Sequence, residues 1–348
     1  MRFAPLVLLI STLPAFGQDY PDKTKLLVYR EGAVEHPVRT PADWEKRRAH
    51  ILANLQRVMG PMPTIEKVPL DIRIEGEIRT DKFIRRKLTY AAGPGNRVSA
   101  FLFLPLERVG KTPGILCLHP TSKEFGKGVP AGLTGKSDRH YAVHLAERGY
   151  VTLAPDYVHS GEYQYDPYEH GFVSATMLGI WNHRVAVDLL QSMPEVDGAN
   201  LGVVGHSLGG HNSMFVAAFD PRLKAIVSNC GFCSFPTYMK GSIAGWSHKG
   251  YMPRLKDVYN LEVAKVPFDF PEVVAALAPR AFLASAPVRD HNFDVQGVKD
   301  CLAAARPVYQ LLGAGEKLQG IYPDAAHDFP DDARAAAYAW FDRWLKGR

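Results

Sequence analysis

Apolar and polar side chains alternate over residues 71–80 and 83–91, the two-residue period of strands with one face in water. Ala92-Gly93-Pro94-Gly95-Asn96 interrupts with turn-forming residues, and residues 97–104 resume as a third strand. These runs predict an antiparallel edge of the kind carried by mixed sheets. Before them, residues 42–59 repeat at helical spacing and close at Gly60-Pro61.

The pattern then changes. Residues 114–118, 150–154, 201–204, 223–228, 281–285 and 318–322 are short, mostly apolar runs. Helical stretches at 140–148, 172–193, 207–218, 295–312 and 331–345 alternate with them. Buried strands alternating with helices predict an α/β fold with a mostly parallel central sheet, an antiparallel N-terminal edge and helices on both faces. No internal repeat or low-complexity tract divides the chain. One domain is expected over residues 18–348, with 18–96 as N-terminal extension and edge strands.

Residues 231–279 break the rhythm. They show no clear strand and many aromatic and glycine residues. A segment of that length inside a compact domain is usually functional. It reads as an insertion near the site that lines a pocket, part of it packing on the core.

Composition narrows the picture in two places. A formal charge of +5 over 348 residues, with no dense Lys/Arg stripe, gives no sign of a nucleic-acid partner. At the N-terminus, Arg2 precedes an apolar run over residues 3–16, and Ala15 and Gly17 place small residues where a signal peptidase reads. A signal peptide over 1–17, cut before Gln18, and a secreted or periplasmic protein are expected. The run is too short to span a bilayer comfortably. No later segment is apolar enough to cross one, so no membrane association is expected after cleavage. Cys117, Cys230, Cys233 and Cys301 are too few for a disulfide scaffold. The spacing of Cys230 and Cys233 is compatible with a disulfide in an exported protein, and buried or bridged thiols are the simplest reading.

Candidate chemistry centres on Gly205-His206-Ser207-Leu208-Gly209, placed between an apolar strand and a helix. That setting forces Ser207 onto a sharp turn with its hydroxyl above the sheet. Glycines at 205 and 209 let the turn close, and the helix start aims N–H groups at a forming oxyanion. A serine hydroxyl needs a base. His327, between the last strand and the last helix, stands where this architecture supplies one. Asp290, shortly after the run 281–285, is the expected carboxylate that orients His327. Asp294 is expected to cap the next helix, and Asp269 and Glu272, which precede that strand, are poorer candidates. The oxyanion donors are expected to be the N–H of Leu208 and, because Pro120 has none, that of Thr121.

The residues after run 150–154 and those of the insertion supply candidate substrate contacts: Tyr157, Tyr163, Trp246 and Tyr251. Lys123, Lys127 and Arg139 hint at an anionic substrate. No metal or organic cofactor is expected.

Four segments carry a family resemblance: Leu116-Cys117-Leu118-His119-Pro120, Arg148-Gly149-Tyr150-Val151-Thr152-Leu153-Ala154-Pro155-Asp156, Gly205-His206-Ser207-Leu208-Gly209-Gly210 and Ala326-His327-Asp328-Phe329. Over residues 97–345 the chain resembles the dienelactone-hydrolase-like and acetyl-xylan-esterase-like serine esterases of the α/β-hydrolase superfamily. The resemblance implies this fold and acyl-transfer chemistry. Two departures stand out. Pro120 replaces the glycine of the usual His-Gly pair, and Ser207 replaces the cysteine nucleophile usual in dienelactone hydrolases. A serine carboxylic-ester hydrolase acting on a small-molecule or carbohydrate ester is the expected function. A serine peptidase of the superfamily and a non-catalytic protein of the same fold are the rivals. Peptide amides compared with esters, and covalent labelling by a fluorophosphonate, separate the three.

Overall fold

The strands that precede Ser207, Asp290 and His327 all belong to a single nine-stranded sheet. The computed structural model describes residues 17–66, 68–108 and 110–347. Apart from Gly17, the expected signal peptide lies outside the described residues. In chain order the strands are β1 (Val28–Glu31), β2 (Val34–Pro37), β3 (Arg73–Arg79), β4 (Phe83–Gly93), β5 (Asn96–Pro105), β6 (Thr112–Leu118), β7 (Val151–Pro155), β8 (Val196–His206), β9 (Leu223–Asn229), β10 (Ala281–Ser285) and β11 (Leu318–Ile321). The first two pair only with each other. The other nine lie in the order β11-β10-β9-β8-β6-β7-β5-β4-β3. The six from β6 to β11 run parallel, and β5, β4 and β3 complete the sheet as an antiparallel edge.

The principal helices are α1 (Pro41–Met59), α2 (Tyr141–Glu147), α3 (Ala175–Ser192), α4 (Leu208–Phe219), α5 (Arg254–Asp257), α6 (Phe270–Ala276), α7 (Val295–Leu311) and α8 (Asp331–Phe341). Apolar residues of α2 and α8 form the core on one face of the sheet. Those of α1, α3, α4, α6 and α7 form the larger core on the other. This arrangement buries both faces of β6, β7, β9 and β10, which is why those strands read as apolar runs without alternation.

Local chemistry sets the ends of the elements. Thr40 and Asp43 form a reciprocal capping box at the start of α1, with Pro41 in the first turn. Asp294 caps α7 by accepting from the Gly297 N–H, as its position predicts.

Three elements differ from the sequence expectation. The β1–β2 hairpin was not anticipated because most of its side chains are exposed or half-exposed, so no hydrophobic period marks it. Strand β8 begins at Val196 rather than 201, since Thr112 and Pro113 of β6 pair with Val196 and Asp197 across a turn-like Asp-Gly-Ala-Asn stretch. The last helix stops at Phe341 and continues as a wider π turn over Asp342–Lys346.

Residues 231–279 contain no strand, as expected, but include α5, α6 and several single turns. Phe232, Phe235, Phe268 and Phe270 of this segment are buried and join the larger core, so much of it is structural. Asp269 and Glu272, weak candidates for catalysis, form the capping box of α6.

Candidate active site

Strand β8 ends at His206, and α4 begins at Leu208, which leaves Ser207 alone at the turn with φ 55° and ψ −114°. A positive φ at a residue with a side chain is strained and persists only where its surroundings enforce it. Here the Ser207 N–H donates to the Asn229 carbonyl at 2.9 Å, and the Ser207 carbonyl accepts from Gly210 and His211. The flanking glycines are required by contact as well as by conformation. A Cβ on Gly205 would lie 2.2 Å from Gly209 backbone atoms, and one on Gly209 would lie 1.9 Å from the Leu118 carbonyl oxygen. The elbow is thus wedged against the end of β6.

His327 follows β11 and approaches from the loop before α8. Its Nδ1 lies 2.9 Å and 3.0 Å from the two carboxylate oxygens of Asp290, which follows β10. Asp290 also accepts from the N–H groups of Asn292 and Phe293. Burial pushes its carboxyl up, but these hydrogen bonds and the His327 charge outweigh burial and hold it below the usual carboxylate range. An ionised Asp290 accepts from Nδ1–H and leaves Nε2 of His327 able to take a proton. The ring of His327 stands 4.9 Å from that of His206, the residue next to Ser207.

His206 was not singled out from the sequence, yet its ring packs against that of His327. It is fully buried, and its Nδ1 accepts from Asn229 Nδ2 at 2.7 Å. The same amide donates to the Asp328 carbonyl. Burial, reinforced by neighbouring His327, drives the His206 pKa well down, so the ring packs as a neutral imidazole. Its only sequence sign is its place inside the serine motif.

The loop after β6 carries the second expected oxyanion donor. His119 Nε2 accepts from the Tyr157 N–H at 2.9 Å, so the proton sits on Nδ1 and is donated to the Pro120 carbonyl. This bond ties the loop after β6 to the loop after β7. The Thr121 N–H donates to no acceptor among the described residues, and the Leu208 N–H, in the first turn of α4, has no intrahelical acceptor. The Thr121 hydroxyl lies 3.4 Å from that of Tyr251.

The expected substrate contacts separate into two groups. Tyr163 is buried, and its hydroxyl donates to Asn96 Oδ1 and accepts from Asn182 Nδ2. Tyr157 is buried too, and its hydroxyl donates to the Gly250 carbonyl. Both serve the fold and offer no free surface to a ligand. Trp246 is buried behind Tyr251, with ring centroids 5.9 Å apart. Tyr251 alone of the four is only partly buried, with its hydroxyl at the loop after β6.

The hint of an anion site also changes. The Lys127 ammonium is buried between Asp156 and Glu162 at 2.7 Å each. Arg139 is committed to Asp328 and to the His327 carbonyl. Lys123 remains exposed.

All four cysteines are buried and free. Cys230 Sγ, an Asp290 carboxylate oxygen and a His327 nitrogen lie within 4.8 Å of one another, a donor set that suits a soft divalent cation. The Asp290 and His327 atoms already satisfy each other, and burial pushes the Cys230 thiol well up, away from the thiolate a metal needs. The Cys230 thiol instead donates to the Asp328 carbonyl at 3.3 Å.

Known proteins share this architecture. The glucuronoyl esterase from Solibacter usitatus superposes with a TM-score of 0.73 at 19% identity, covering 92% of this chain and 97% of that one. The 4-O-methyl-glucuronoyl methylesterase 1 of Wolfiporia cocos is 22% identical over 368 residues, spanning 96% of this chain and 83% of the relative. The acetyl esterase Axe7A of Xylanibacter ruminicola is 37% identical over 78 residues, 22% of this chain and 17% of the relative. Residues 29–311 match the Abhydrolase family, and with the α/β-hydrolase sheet around Ser207 this places the chain in that family.

Proposed function

We propose that this carboxylic-ester hydrolase works through an acyl-enzyme on Ser207, with His327 as base and Asp290 as its orienting carboxylate. The observation that carries the reading is the His327 Nδ1 to Asp290 contact of 2.9 Å, with the His327 ring 4.9 Å from that of His206, the chain neighbour of a strained serine at the end of β8. Ser207 Oγ attacks the ester carbonyl as His327 Nε2 takes its proton. The N–H groups of Leu208 and Thr121 hold the oxyanion. His327 returns the proton to the departing alcohol, then draws one from the water that releases the acid. Each step needs only protein groups and water.

A carbohydrate ester is the proposed substrate class. Its support is the names of the relatives and the aromatic residues of the 231–279 segment beside the site. Export through the N-terminal leader belongs to the same proposal and fits a polymer substrate outside the cell.

The test is Ser207→Ala assayed on an activated acetate ester, with a fluorophosphonate probe on the wild type. Loss of turnover together with labelling of Ser207 is expected; near wild-type turnover in the variant would remove the assignment. Acetylated sugars, methyl uronates, feruloyl esters and simple alkyl esters assayed side by side identify the substrate class.

A further inference from the structure

Tyr251 lies in the insertion, far in sequence from the triad, yet several independent contacts fix it at the oxyanion loop. Its N–H donates to the His248 carbonyl at 2.8 Å, and its carbonyl accepts from Thr176 at the start of α3. Its ring is flanked by His248 at 4.4 Å, His211 at 5.4 Å and Trp246 at 5.9 Å between centroids. His211 sits four residues after Ser207, on the first turn of α4. The hydroxyl end reaches Thr121 Oγ1 at 3.4 Å. Tyr251 therefore touches both segments expected to carry oxyanion donors: the loop after β6 and the start of α4.

We propose that the Tyr251 hydroxyl is a third oxyanion donor, supplied by the insertion to the tetrahedral intermediate on Ser207. This rests on the acyl-enzyme reading above. The physical case is preorganisation. A donor whose ring is held on three sides needs no reorganisation when charge develops, and such groups contribute most in a site shielded from water. Its present partner is an exposed hydroxyl at a distance near the limit of a hydrogen bond, so the O–H gives up little on turning to an anion. Burial keeps the phenol above its ordinary range, opposed only in part by the bond to Thr121, so it stays protonated and able to donate. The insertion would thus complete the catalytic machinery as well as shape the pocket.

Tyr251→Phe keeps the ring and removes only the donor. In the folded variant, checked by its melting temperature, kcat on an activated acetate should fall roughly 100-fold with KM nearly unchanged. Affinity for a trifluoromethyl ketone, which forms an oxyanion on the serine, should fall by the same factor. Tyr251→His, which restores a ring N–H, should recover part of the rate. An unchanged kcat and ketone affinity, or a change in KM alone, would overturn the inference. Ser207→Ala, assayed in parallel, keeps the two readings apart. If it retains turnover the acyl-enzyme reading fails by itself; if it is inactive while Tyr251→Phe is fully active, only the third donor is lost.

Discussion

The guanidinium of Arg139 donates to the backbone carbonyl of His327 at 3.3 Å, and to the Asp328 carboxylate at 3.2 Å. Lys136 reaches the other Asp328 oxygen at 2.7 Å. Two cations from the loop after β6 therefore clamp the loop that carries His327, the proposed base, so the segment that holds the proposed donor Thr121 also positions His327.

Arg139→Ala should loosen this clamp. Misplacing a catalytic group by about 1 Å can cost on the order of 100-fold in rate. A fall in kcat of roughly 10- to 100-fold with little change in KM is expected, read from steady-state kinetics on a simple acetate ester. Arg139→Lys, which keeps the charge but not the forked geometry, should fall between the two.

Asp138, next to this clamp, should make stability depend on pH. Burial, then the hydrogen bond and charge of Asp328, push its carboxyl up to about 6. A raised acid pKa means that the fold favours the protonated form. That contribution is complete below the ordinary carboxylate range and is lost as pH rises through about 6. Asp138→Asn, neutral at every pH, should gain in melting temperature relative to wild type between pH 5 and pH 7.5. Parallel melting curves for the two proteins at both pH values would contradict this assignment.

The thiols should be inert. Cys117 and Cys301 are fully buried, Cys230 and Cys233 nearly so, and burial raises the pKa of all four. The native protein should react with Ellman's reagent only after denaturation, when four thiols per chain appear. Reductant should leave its melting temperature unchanged, whereas a Cys230–Cys233 bridge would make the protein less stable on reduction.

The helix α1 should matter for stability far beyond its distance from Ser207. Arg47 of α1 and Glu272 of α6 form a fully buried ion pair, and the Arg47 guanidinium lies 3.4 Å from the centroid of the Tyr20 ring. Arg47→Ala would leave Glu272 buried without its cation, a loss of about 3–5 kcal/mol, measurable by urea unfolding. The double variant Arg47→Met, Glu272→Gln should regain most of this. The glutamine carbonyl can still accept the bond that the Asp269 N–H gives Glu272 in the α6 capping box.

Much of this protein was legible along the chain, because its central elements follow local rules. β6, β7, β9 and β10 are buried on both faces and so appear as apolar runs. The serine turn is marked by glycines at which an added Cβ would meet backbone atoms, and the order of Ser207, Asp290 and His327 follows from one strand after another. Other features depended on partners far apart in sequence. Lys127 and Arg139 looked like free cations until Asp156 and Asp328 were brought beside them. Tyr157 and Tyr163 looked like ligand contacts until packing enclosed them. The placement of His206 against His327, and of Tyr251 beside Thr121, exists only because the sheet order and the insertion set those side chains together. Periodicity and turn chemistry act over a few residues and can be read from the chain. Burial and charge pairing are set by neighbours distant in sequence, as with Arg47 and Glu272, and only the folded structure decides them.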